Sequence, residues 1–287
     1  MKKTIGWIWR TICYPLMFIG YQVIFTVAYL VSVMVGFILQ GSEELLYIAT
    51  PEFLLYHMDI SVIMLMACIF TFLTMWLILR DEWKNAQIWK ISGLPILPII
   101  LCALLGIALQ FSIGGTIYLT GAEVLFEDHA ELMGMVLGND LFMEVMAVAV
   151  GAAVIEELIF RGMILRRLLD RTSMKTVYAI ILQAFLFGVI HMNVLQGLYA
   201  FALGIVFGLV YIWVKSIWAP IALHLTFNLY AVLSSNLSIG VAAETPSTSE
   251  LVLVTTAAFA ISTVFLMVIY KKRSHTLSVL QETADGI

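Results

Sequence analysis

The sequence predicts an all-α fold, a polytopic membrane bundle of about eight transmembrane helices with both termini cytoplasmic. Three observations carry that expectation. The chain of 287 residues is 62% hydrophobic and only 12% charged, more apolar surface than a soluble domain of this length can hide. Apolar stretches recur at about twenty residues, the length that crosses a bilayer core as a helix. The Lys and Arg residues outside those stretches all fall on one side of an eight-span scheme, as the positive-inside rule requires.

In chain order, the first span is expected at about 14–39. It follows the basic flank MKKTIGWIWR, is too long for a signal-peptide core and has no A-x-A cleavage site, so it is read as retained. The connection GSEELLYIATPEFLLYH is acidic and lacks Lys and Arg. The second span, about 59–79, leads into RDEWKNAQIWK with Arg80, Lys84 and Lys90. After the third, about 94–113, comes a long acidic connection with Glu123, Glu127, Asp128, Glu131 and Asp140. Its Val124, Leu125, Phe126, Leu132 and Met133 leave two readings open, a short interfacial helix on the outer side or a solvated loop.

The fourth span, about 143–165, ends at Arg166, Arg167, Arg171 and Lys175. The remaining four are expected at about 177–195, 197–214, 217–236 and 251–270. Lys215 follows the sixth, and Lys271, Lys272 and Arg273 follow the eighth. An odd number of spans would break the alternation of charge. No internal repeat or low-complexity linker divides the chain, so residues 1–287 are expected to form one integral membrane domain, with its intramembrane ionisable residues gathered at about 141–236. Cys13, Cys68 and Cys102 lie in or beside apolar stretches and read as small apolar residues, not a disulfide framework. No basic patch with interleaved aromatics is present, which argues against a nucleic-acid partner. The lipid bilayer is the expected surrounding, in a prokaryotic cytoplasmic membrane.

Ionisable residues inside such spans need a reason, because a carboxylate at membrane depth costs about 2.5 kcal/mol or more. The fourth span nevertheless carries Glu156 and Glu157, followed by Arg161. Glu157 and Arg161 are four apart with the acid first, the better orientation for a helical ion pair. Glu156, turned by about 100°, is then left for chemistry. The plain alternative is that both acids satisfy buried partners. The fifth span gives Phe187 and His191 at i, i+4, with Gly188 allowing close helix approach. Alone, His191 reads as a hydrogen-bonded core residue. The seventh gives His224 and Asn228 on one face, alone as consistent with an interhelical hydrogen-bonding pair as with catalysis. Gly204-x-x-x-Gly208 in the sixth is most simply a packing face.

Together these groups are more specific. A carboxylate can take a proton from water, one His can orient that water, and a second His with an Asn can donate to a developing oxyanion. The motifs EELIFRG, FGVIH and HLTFN resemble the CPBP family of intramembrane proteases, which includes the type II CAAX prenyl endopeptidases and bacterial Abi-type proteins. The resemblance runs from about Val150 to Leu233. It implies an eight-helix endopeptidase acting on a peptide or membrane-protein substrate, prenylated in the name-giving case. It further implies Glu156 as base, His191 holding the water, His224 and Asn228 as oxyanion site, and Glu157 and Arg161 in support. Family members often carry Asn three residues after the first His. Here Val194 holds that place, and Asn193 comes one earlier.

The family leaves two mechanisms open, a metal-independent glutamate type and a metallo type. One zinc ion would take Glu156, His191 and His224 as ligands. With no H-E-x-x-H present, the reading favours no cofactor and a glutamate-activated water. A function from another class is a non-catalytic membrane protein, either a proton-coupled transporter or a bacteriocin-immunity scaffold. Intramembrane Glu and His serve proton relays as well, but the sequence shows neither the internal symmetry nor the paired broken helices of transporters. It names neither a natural substrate nor an oligomeric state.

Overall fold

Short polar residues start several helices of this otherwise apolar chain. In the computed structural model, Asp59 accepts from the Val62 N–H at 3.1 Å, Asp140 from the Met143 N–H at 2.9 Å and Asn193 from the Gln196 N–H at 3.0 Å. Each satisfies a backbone donor that the first helical turn leaves without a partner. The structure describes residues 2–39, 50, 53, 56–86, 88–90, 94–137, 140–171, 174–237 and 247–284. Most of the acidic connection between the first two spans lies outside these described residues.

The elements are α1 (Lys2–Leu39), α2 (Ile60–Asn85), α3 (Ile96–Thr120), the single turn α4 (Ala122–Leu125) and α5 (Glu127–Val136). A continuous helical run, α6, follows over residues 141–171. Then come α7 (Thr176–Val189), α8 (Val194–Val214), α9 (Trp218–Leu237) and α10 (Thr248–Ala284). No strand occurs among the described residues. The molecule is an all-α membrane bundle, in which α1, α2, α3, α8 and α10 each hold a stretch long and apolar enough to cross a bilayer. Of the two readings left open for the acidic connection, the helical one holds: α4 and α5 occupy it.

The fifth expected span differs from what is seen. Hydropathy places 177–195 as one crossing, yet α7 ends at Val189 and α8 begins at Val194. With 14 residues, α7 is about 21 Å long, short of a hydrocarbon core of about 30 Å. Met192 takes a left-handed φ of 52° in the intervening turn. An apolar run hides such a reversal, because hydropathy is blind to a local change of backbone sign. Two glycines let the hairpin close. A Cβ on Gly188 would stand 2.6 Å from the Gly197 carbonyl oxygen, and one on Gly197 would stand 3.0 Å from that of Gly188. Lower down, a Cβ on Gly204 would lie 2.9 Å from Ala184 Cα, so the Gly204-x-x-x-Gly208 face packs α8 on α7.

At the centre of the bundle lies α6, every residue of Leu158–Leu165 being buried. It is not a uniform α-helix. Val145–Gly151 and Leu158–Leu165 are π-helical, on either side of the α-helical turn Ala152–Glu157. Such segments are rare and frequent at functional sites. At the end of α6, Arg166 and Arg167 grip the two oxygens of Glu82 at 2.7 and 2.8 Å, tying α6 to the end of α2.

Candidate active site

The two glutamates of α6 part company in space. Glu157 is 0% exposed and its Oε1 lies 2.8 Å from an Arg161 amino nitrogen. The guanidinium, also 0% exposed, donates to the Gly204 carbonyl at 3.1 Å and is faced by the rings of Phe187 at 4.6 Å and Phe207 at 4.9 Å. That carbonyl also accepts from Gln183 Nε2 at 2.8 Å. The i, i+4 pair expected from the sequence is therefore present, and it is braced by α7 and α8.

From α9, His224 Nδ1 reaches the same Glu157 Oε1 at 3.0 Å. Because a carboxylate only accepts, the Nδ1 carries the proton, and in the neutral form of the ring Nε2 is a bare acceptor. That Nε2 stands 3.9 Å from Oε2 of Glu156. Glu156, 7% exposed, opens on a cavity of about 500 Å³.

His191 sits at the α7–α8 turn, its Nδ1 2.7 Å from the Phe187 carbonyl. The same reasoning puts a proton on Nδ1, so that Nε2 is the acceptor in the neutral form of the ring. Asn228, one turn beyond His224, donates one amide hydrogen to the Val148 carbonyl at 2.8 Å, an oxygen belonging to the first π-helical stretch. Glu156, His191, His224, Asn228 and Phe187 all line the one cavity. Glu157 and Arg161 do not line it and stand behind its wall. Asn193 caps α8, whereas Val194 is 65% exposed, so the shift noted in the sequence puts the polar residue at the turn.

A further histidine lines the cavity that the sequence did not single out. His129 of α5 is only 5% exposed, with its ring edge-on to Tyr199 at 5.8 Å. A lone His in an acidic connection carries no signal of this in sequence. Burial pushes its imidazole below the ordinary value, against the raising pull of Asn193 and of Glu123. A histidine held neutral by folding adds stability that is full above its unfolded value and is lost as pH falls through the window beneath it. The docking of α5 is thus expected to weaken below about pH 6.5. Thermal unfolding in detergent should fall more between about pH 7.5 and about pH 5.5 for the wild type than for His129→Phe. Equal falls would show that His129 contributes nothing to the dependence.

The ring nitrogens offer donor chemistry that would suit a metal, since ligating imidazoles commonly donate their other N–H to a carboxylate or carbonyl. The grouping does not. Among the described residues no three His, Cys, Asp or Glu side chains are gathered closely enough to hold a metal ion.

Residues 138–230 match the family model described as type II CAAX prenyl endopeptidase Rce1-like. Over this segment the chain is similar to the CPBP family. A further likeness is to YdiL of Bacillus subtilis (strain 168), whose name proposes a membrane peptidase, at 32% identity over 80 residues. That alignment takes in 28% of this chain, and the chain spans only 32% of the relative's length. No solved structure matches. The matched segment contains α6, α7, the turn after it, α8 and most of α9, which together hold Glu156, Glu157, Arg161, Phe187, His191, His224 and Asn228. With its apolar helices, the chain is an integral, multi-pass membrane protein.

Proposed function

We propose that this protein is an intramembrane endopeptidase, hydrolysing a peptide bond of a membrane-associated or prenylated, CaaX-like substrate through a water activated by Glu156. The observation that carries this reading is the 3.9 Å separation of Glu156 Oε2 and His224 Nε2. Two proton acceptors cannot bond to one another, and the gap is too long for a direct hydrogen bond. A water donating to both fits there. Its oxygen lone pair then points away from the two acceptors, toward an incoming carbonyl carbon.

As the water oxygen bonds to that carbon, its proton passes to Glu156 and the carbonyl electrons move onto oxygen. Asn228 keeps a second amide hydrogen for that oxyanion. His224 can donate there only once it has itself gained a proton, which shifts the oxyanion role toward Asn228. Glu156 returns its proton to the departing amine as the C–N bond breaks. Glu157, held by Arg161, keeps the His224 ring in the tautomer that orients the water, as a buried carboxylate does for a catalytic histidine. His191, which lines the same cavity, is an alternative acceptor for one of the water's two hydrogens. The mechanism takes no metal as cofactor. The Lys and Arg pattern supports both termini in the cytoplasm of a prokaryote and the cavity mouth, beside α5, on the outer face.

The test is incubation of the purified protein with a peptide library, comparing the wild type with Glu156→Ala. Cleavage that disappears in the variant is expected. Equal cleavage by both would sink the enzyme reading.

A further inference from the structure

Polar ties join α6 to α9 along their whole seam. Glu144 of α6 meets Asn236, the Val148 carbonyl meets Asn228, and Glu157 meets His224. The partners descend α9 as α6 ascends, so the two helices lie antiparallel. The Glu144–Asn236 tie touches no substrate, since neither residue lines the cavity. Glu144 is fully buried, and its Oε2 accepts from Asn236 Nδ2 at 2.6 Å. That amide nitrogen also donates to the Val232 carbonyl, 3.1 Å away on its own helix. Both amide hydrogens of Asn236 are thereby occupied, and the side chain is fixed on α9 while it holds α6.

We infer that Glu144 and Asn236 are positioning residues for the oxyanion donor: their tie sets the register of α9 on α6 that aims the second amide hydrogen of Asn228 into the cavity. This rests on the hydrolase reading above and adds two residues to its machinery. A carboxamide is planar and carries two N–H donors at a fixed angle. Whichever carbonyl takes one hydrogen therefore decides where the other points. Here that carbonyl belongs to Val148, four residues after Glu144 and inside the π-helical stretch Val145–Gly151. Such a stretch is a rare form, and its place against α9 depends on what α9 holds. Without the tie, the Val148 carbonyl and the Asn228 amide can shift past each other, and the second hydrogen turns with them. A displacement of about 1 Å can cost about a hundredfold in rate. An oxyanion donor acts in the transition state rather than on bound substrate. The loss accordingly falls on kcat and leaves KM alone.

The library peptide that the wild type cuts fastest, made internally quenched and assayed in neutral detergent, reads both constants per folded molecule. Glu144→Leu/Asn236→Leu removes both ends of the tie together, so neither is left buried without the other, and its unfolding temperature should stay near that of the wild type. Its kcat is expected to fall about ten- to a hundredfold with KM unchanged. Glu144→Gln keeps an acceptor oxygen for Asn236 and should keep the wild-type kcat. In an Asn228→Ala background the double leucine replacement should cost nothing further, because the donor that the tie aims has gone. A folded double variant with wild-type kcat, a loss confined to KM, an equal loss in Glu144→Gln, or a loss that persists in full beside Asn228→Ala overturns the inference. Should the double variant not fold, Asn236→Leu alone is held to the same outcomes. Failure of the hydrolase reading looks different: no peptide is cut by any form, or Glu156→Ala cuts as well as the wild type, and the inference falls with it.

Discussion

Replacing Arg161 with alanine is expected to destabilise the protein by about 3–5 kcal/mol, the usual result of removing one partner from a buried pair. The guanidinium is fully buried and holds Glu157 at 2.8 Å and the Gly204 carbonyl at 3.1 Å. Its loss strands the Glu157 charge among apolar helices and removes the cation between two aromatic rings. Glu157→Gln should cost a similar amount, because it strands the guanidinium instead. The double variant Glu157→Leu/Arg161→Met separates charge from packing. An apolar replacement of a whole buried pair is often neutral or stabilising, so the double variant should recover most of the lost stability. It should stay inactive, since His224 then has nothing to hold its Nδ1 proton. Thermal unfolding in detergent reads the first outcome and peptide cleavage the second. A single Arg161→Ala protein that unfolds at the wild-type temperature would refute the brace.

The largest effect on rate is expected for Glu156→Gln, with a loss of about 10²–10⁴-fold for a missing general base and little change in unfolding temperature. Glutamine keeps the shape of the side chain but accepts no proton from water. Stability can rise, since a desolvated carboxylate is replaced by a neutral amide. The comparison with Glu157→Gln is decisive. A fully active Glu156→Gln protein, or a Glu157→Gln protein that is inactive yet fully stable, would exchange the roles of the two glutamates.

Much of this arrangement was legible because it rests on period and charge. The i, i+4 relation of Glu157 and Arg161 needs only a helix through Arg161, and the pair is found at 2.8 Å. Likewise the common face of His224 and Asn228 delivers both to one cavity. Three features had no local signal. The π-helical stretches of α6 depend on which carbonyl each N–H finds once the bundle is packed, and no residue type announces them. The bond from His224 to Glu157, rather than outward to an oxyanion, joins α9 to α6 and is invisible to either segment alone. Glu144 reads as an ordinary acid at a helix start, yet it is 0% exposed and accepts from Asn236 Nδ2 at 2.6 Å.

The contact between Glu157 and Arg161 also bears on how the chain is made. Both partners lie on α6, within one helical turn, so the pair can close as soon as that helix forms. It can enter the lipid as a nearly neutral unit, before its later neighbours have been synthesised. His224 arrives on the third helix afterwards and finds a carboxylate already oriented by its arginine. A charge that could obstruct insertion is thus quenched in cis, and the imidazole completes the assembly when α9 takes its place.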